Sequence, residues 1–212
     1  MKVCSSAIPM WPPSVAVEKV LPCNTRCCAS RMSLPDFHND YFKLFDLPVS
    51  FTLDGAQLSA RYRTLQGELH PDRYASKSAQ EQRLAVQYSA LVNEAYAVLR
   101  KPLPRALYLL ELAGISEQEV SGRPIDGAFL IQQMELREKL ESLPELANPD
   151  PILDQVIREM GGDMAEQQRL FQTAHEAGDL AAASLACVKM QYLEKLQSEA
   201  EQIESDLMDD NE

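Results

Sequence analysis

The chain has 212 residues, room for one large or two small domains, and an ordinary apolar fraction of 45 %. Glycine and aromatic residues are few while Leu, Ala, Glu and Gln abound, a bias toward helix over sheet. The formal charge of −12 is uneven: residues 1–31 carry +3, residues 32–125 carry −1 and residues 126–212 carry −14. That acidic half excludes nonspecific nucleic-acid binding, which needs a basic footprint. No apolar run approaches the length needed to span a membrane.

Residues 1–31 differ in character from the rest of the chain. They hold Pro9, Pro12, Pro13 and Pro22, four of the five cysteines (Cys4, Cys23, Cys27 and Cys28), and no stable periodicity. Three readings stand: a disordered or spurious leader with the true start at Met32, a targeting segment that is basic and nearly free of acids, or a metal site. The spacing of Cys23, Cys27 and Cys28 is not that of paired C-x2-C ligands, so no bound metal or other cofactor is expected. With one further cysteine, Cys187, in the rest of the chain, the pattern fits a reducing compartment and not a disulfide framework.

From residue 39 onward the chain reads as helix. Residues 39–45 form a short first segment. After Leu53-Asp54, an apolar stripe of Leu58, Tyr62, Leu65 and Leu69 marks an amphipathic helix that stops at His70-Pro71, because proline disfavours helix in the residue before it. A polar loop comes next. A second helix over 80–99 carries the stripe Leu84, Tyr88, Leu91, Ala95 and Val98, making an antiparallel hairpin with the first. Pro102 and Pro104 break the chain, a brief apolar helix covers 105–113, and Gly114 ends it. Residues 114–125, with Gly122 and Pro124, read as a linker. Helices over 127–143, 150–177 and 179–207 then form a three-helix bundle, the last capped by Asp179. Residues 208–212 are an acidic tail expected to fray.

His70-Pro71-Asp72 falls between the hairpin helices, and on its own it is a turn. His70 and Asp72 could serve as base and orienter, but no serine or cysteine nucleophile, phosphate loop or metal-ligand cluster accompanies them. His38 and His175 stand alone. An enzyme is therefore not expected.

In the C-terminal module, a helical wheel of 129–143 puts Phe129, Leu136, Leu140 and Leu143 on one side. Leu130, Ile131 and Met134 fall roughly opposite, rimmed by Glu135, Glu138 and Glu141. A bundle helix needs one apolar face. The second is either covered by another part of the chain or left open to bind a partner, an apolar centre with a charged rim being the anatomy of a protein interface. The last helix has its core stripe at Leu185, Leu193, Leu196, Ala200, Ile203 and Leu207, with Tyr192 at the stripe's edge.

The first hairpin helix with Tyr62-Arg63-x-Leu65, the tripeptide His70-Pro71-Asp72, and the run Asn93-Glu94-Ala95-Tyr96-Ala97-Val98-Leu99 together resemble the J-domain. Thr64 and Glu68 stand where generic J-domains often carry lysine, which points to a specialised partner. Adding Arg105-Ala106-x-Tyr108-Leu109-Leu110, and Phe129-Leu130-x-x-Gln133-Met134-Glu135-Leu136-Arg137-Glu138, the pattern over about residues 39–207 is similar to the HscB-type co-chaperones of iron–sulfur cluster assembly. The resemblance implies an all-α fold, with a J-domain over 32–113 joined by a linker over 114–125 to a three-helix client-binding domain over 126–207.

It also implies a co-chaperone that catalyses nothing itself. Its partners would be a DnaK-type chaperone of the HscA kind, met by His70, Pro71, Asp72, Arg61, Arg63 and Arg73, and an IscU-type scaffold protein, met by Leu130, Ile131, Met134, Glu135, Glu138 and Tyr192. A monomer in a bacterial cytoplasm is expected, with a mitochondrial matrix as the alternative. The competing readings are a J-domain protein with a different client and a general chaperone, and a helical enzyme using His70 and Asp72.

Overall fold

The structure, a computed structural model, describes residues 40–146 and 148–209. The leader read at 1–31 with its four cysteines, the start at Met32, His38 and the last three residues of the tail lie outside them. The described residues are helical, with no strand among them, and no helix is long and apolar enough to cross a membrane.

Helix α1, Tyr41–Leu44, is opened by Asp40, whose carboxylate accepts the amides of Phe42 and Lys43. α2, Gly55–Glu68, is capped in the same way by Asp54. A four-residue helix, α3, spans Pro71–Tyr74. α4, Ala79–Arg100, starts on a reciprocal capping box between Ser78 and Glu81. α5 spans Pro102–Leu112 and so begins earlier than the expected 105. The expected break falls at Lys101, which is extended before Pro102 and ends α4 at Arg100; Pro102 and Pro104 then sit in the first turn of α5, where no intrahelical partner awaits their missing N–H. Gly114, at φ 86°, takes the left-handed conformation that ends α5.

The stretch expected to be a linker contains α6, Glu117–Ser121, started by a second capping box between Ser116 and Glu119. α7, Gly127–Glu141, passes into a 3-10 turn at Leu143–Glu145. α8, Asp150–Glu176, and α9, Leu180–Asp209, form the longest hairpin, turned at Gly178 (φ 75°). Asp179 accepts the Ala182 amide at the start of α9.

Two cores hold these helices. The larger gathers Phe42, Phe45, Leu58, Leu99 and Leu110 together with Val120 of α6, Phe171 of α8 and Ala183, Cys187 and Met190 of α9. The smaller takes Leu136, Leu140, Leu143, Leu153, Val156, Met160, Leu196 and Ala200. The α2–α4 hairpin thus rests on a core to which the near ends of α8 and α9 also contribute. The outer part of the α7–α9 bundle has a core of its own.

Candidate functional site: a hairpin tip and an open helix face

The hairpin tip is built from the bottom up by pairs between α2 and α4. Tyr62 stacks on Tyr96 with ring centroids 3.9 Å apart, and its hydroxyl donates to Asn93 Oδ1 at 3.0 Å. Gln66 donates to the Tyr62 hydroxyl, and the Ser59 and Tyr96 hydroxyls lie 3.2 Å apart. The aromatic and amide positions of the sequence motif are therefore one polar-aromatic seam that fixes α2 against α4.

At the end of that seam the tripeptide is not a loop. His70 is the N-cap of α3, Pro71 its first residue, and the Asp72 amide donates to His70 Nδ1 at 3.4 Å. The proline supplies the φ that a first helical turn needs. His70 and Asp72 remain exposed, with Nδ1 3.6 Å from the Asp72 carboxylate. Both side chains are thus open to solvent and available to a partner.

Two side chains tie α3 to its neighbours. Arg73 Nη1 donates to the Gly67 carbonyl at 3.1 Å, and Gln82 Nε2 donates to the carbonyls of Ala75 and Lys77 at 3.2 and 3.1 Å. A groove of about 410 Å³, walled by Leu69, Tyr74, Ala85 and the exposed Val86, opens alongside.

The arginines expected to flank the tripeptide differ. Arg61 is half-buried and pairs with Asp46 at 3.0 Å. Arg73 spends one donor on Gly67. Arg63 is exposed and, among the described residues, makes no ion pair within 4.0 Å.

The second surface lies on α7. Phe129, Leu136, Leu140 and Leu143 are buried, as their wheel positions require. Leu130, Ile131 and Met134 are exposed at 38, 59 and 62 %, and Glu135 and Glu138 are exposed beside them. Polar pairs anchor the flanks of the helix. Arg137 grips Glu199 of α9 with two bonds of 3.0 Å, Lys139 meets Glu159 of α8 at 3.1 Å, and Gln132 donates to Asp163 at 2.7 Å.

At the α7 N-terminus, Asp126 accepts the Phe129 amide at 2.8 Å and pairs with Lys189 at 2.6 Å. The Lys189 bond, with the Phe129 amide second, holds the Asp126 carboxyl below the usual aspartate range. The Lys189 ammonium also lies 5.0 Å over the Phe129 ring, and Tyr192 meets that ring edge-on at 6.4 Å, itself 46 % exposed. The open apolar face and Tyr192 therefore flank the same end of α7.

Sequence reasoning did not pick out Gln66, Gln82 or Lys189. Gln82 carried a faint signal, standing four residues after the Ser78 cap. Lys189 could be found only once α9 was laid against α7. Among the described residues no cluster of His, Cys, Asp and Glu could hold a metal ion.

An all-α chain whose hairpin presents His-Pro-Asp on a braced turn, joined to a helical bundle with an open apolar face, is a co-chaperone of the J-domain class. Residues 125–201 match the family described as the HSCB C-terminal oligomerisation domain. The co-chaperone protein HscB homolog of Cupriavidus taiwanensis is 42 % identical over 159 residues, covering 75 % of this chain and 90 % of that one. The homolog of Shewanella loihica is 41 % identical, covering 79 and 99 %. The solved structure of the chaperone HscB from Vibrio cholerae superposes with a TM-score of 0.71 at 38 % identity, covering 79 % of this chain and 99 % of that one. For human co-chaperone HscB the TM-score is 0.73 at 34 % identity, covering 79 and 83 %. The chain belongs to the HscB family of co-chaperones, the iron–sulfur assembly type that its sequence resembles.

Proposed function

We propose that the protein delivers an IscU-type iron–sulfur scaffold to a DnaK-type chaperone of the HscA kind and stimulates that chaperone's ATPase, promoting maturation of iron–sulfur proteins. His70, Pro71 and Asp72 meet the chaperone, with Arg61, Arg63 and Arg73 supplying a basic rim to an acidic surface. Leu130, Ile131 and Met134, rimmed by Glu135 and Glu138 and extended by Tyr192, meet the scaffold. The setting is a bacterial cytoplasm or a mitochondrial matrix.

The observation that carries the reading is the coexistence, in one chain, of an exposed His70–Asp72 turn and an exposed apolar face on α7. A chain that joins two proteins needs two such surfaces. Steady-state ATP hydrolysis by an HscA-type chaperone, with and without this protein and the scaffold, tests it. Synergistic stimulation is expected. His70→Gln should abolish it, and Ile131→Asp with Met134→Asp should remove only the scaffold-dependent increment. Stimulation indifferent to the scaffold would sink the client assignment, and wild-type activity retained by His70→Gln would sink the chaperone assignment.

A further inference from the structure

α3 has four residues, too few to be stable as an isolated helix. Its place must come from its bonds to the neighbouring helices. Toward α2, the Arg73 guanidinium reaches back to the Gly67 carbonyl, one of the orphan carbonyls of the α2 C-terminus. Toward α4, a single side-chain amide, Gln82 Nε2, bridges the carbonyls of Ala75 and Lys77, which follow α3 within three residues. Gln82 stands in the second turn of α4, a helix started independently by the Ser78–Glu81 capping box. α4 is thus a fixed post, and Gln82 is the strut from it to the segment behind His70–Asp72.

We infer that Gln82 is a positioning residue for the chaperone-facing turn: its amide, with Arg73 opposite, keeps α3 in the conformation that presents His70 and Asp72. The inference rests on the proposed role of that turn. It gives Gln82 no contact with the partner, so its effect comes from preorganisation. A turn that is correctly formed only part of the time raises the apparent dissociation constant by the inverse of that fraction. It leaves the response at saturation unchanged.

Gln82→Ala is the test. The residue is exposed and alanine is a stronger helix former, so the variant folds. Two readouts are taken on the full chain. NMR amide order parameters of residues 72–78 in the free protein should fall relative to the wild type. The concentration giving half-maximal stimulation of the chaperone ATPase should rise about threefold to tenfold, as expected for losing up to two modest hydrogen bonds. Maximal stimulation should stay the same, whereas His70→Gln lowers the maximum itself. Gln82→Glu, which offers the carbonyls no donor, should behave as Gln82→Ala does.

Unchanged order parameters overturn the inference whatever the ATPase does, because a weaker response would then mean a direct contact by Gln82. Lowered order with an unaltered half-maximal concentration overturns it too, since the brace would then not matter to presentation. If the wild type fails to stimulate at all, the co-chaperone reading falls and takes the functional half of this inference with it, while the brace stands or falls on the order parameters.

Discussion

Arg61 and Arg63 are two residues apart on α2 and live in opposite surroundings. Arg61 is half-buried and its guanidinium is matched by Asp46, whereas Arg63 is exposed without an ion-pair partner among the described residues. A surface pair of this kind stabilises the fold little, about 0–1 kcal/mol. Its larger consequence is to mask one positive charge of the basic rim proposed to meet the chaperone. Asp46 itself sits at φ 50°, a left-handed position that asparagine adopts as readily as aspartate. Asp46→Asn therefore leaves the turn intact and releases Arg61. The half-maximal concentration for chaperone stimulation should fall about twofold at low salt, and Arg63→Ala should raise it by a similar factor. Both effects should fade as added salt shortens the screening length. Opposite signs that converge at high salt would establish the basic rim; equal values for all three proteins at low salt would remove it.

At the scale of the element, α7 is a helix with its flanks anchored and one face open. Its N-terminus depends on Asp126, which serves both as cap and as partner of Lys189. Because the folded carboxyl titrates below its ordinary range, it binds its proton less readily than in the unfolded chain. Its stabilising effect is therefore complete above the ordinary aspartate pKa of about 4 and is lost as pH falls through the lower folded value. Amide shifts of residues 128–131 should move with an acid-side step below about pH 4, and Asp126→Asn should abolish that step. The same variant should lower the urea midpoint without altering its slope, since the surface exposed on unfolding is unchanged. An acid step that persists in Asp126→Asn would assign it to another carboxylate.

How far each element was legible depends on what set it. The two faces of α7 were readable because burial obeys the 3.6-residue period, and Phe129, Leu136 and Leu140 are all below 7 % exposed. In α4 the stripe met the core at Ala95, which is fully buried, and was off by one position elsewhere. Leu84, Tyr88, Leu91 and Val98 are only partly buried, while Ala85, Val92 and Leu99 are at the centre, because helix partners on two sides shift the buried face away from the bulkiest residues. α6 was missed although Ser116 and Glu119 spell a capping box, since five residues flanked by Gly122 and Pro124 leave no period to read. α3 was missed because four residues show no period to read, and the side-chain bonds that tie it to α2 and α4, from Arg73 and Gln82 to carbonyls five to seven residues away, follow no recognisable sequence pattern. Of the surfaces, exposure could be foreseen on α7, but the seam joining Tyr62, Asn93 and Tyr96 required the two helices side by side.

For the whole molecule, the decisive feature is that the larger core is shared between the hairpin half and the first turns of α9. Cys187 lies in it, fully buried, and burial, with Glu117 of α6 adding to it, pushes its thiol up to about 12. Neither access nor thiolate is available at neutral pH, so an alkylating reagent reaches Cys187 only when α5 and α6 separate from α9. The thiol therefore reports the junction between the two halves of the chain. Peptide-resolved iodoacetamide labelling should leave Cys187 unmodified in native buffer. With rising urea its labelling should track the loss of helix in one transition, because the two cores share the continuous helices α8 and α9. Val120, also fully buried in this core, provides the calibration: Val120→Ala removes two buried methyl groups, a loss of about 2 kcal/mol, and should speed Cys187 labelling about thirtyfold. Labelling at a urea concentration where Leu136 and Leu196 of the smaller core are still protected from exchange would mean that the hairpin half lifts off on its own. The two proposed binding surfaces would then sit on bodies that move independently.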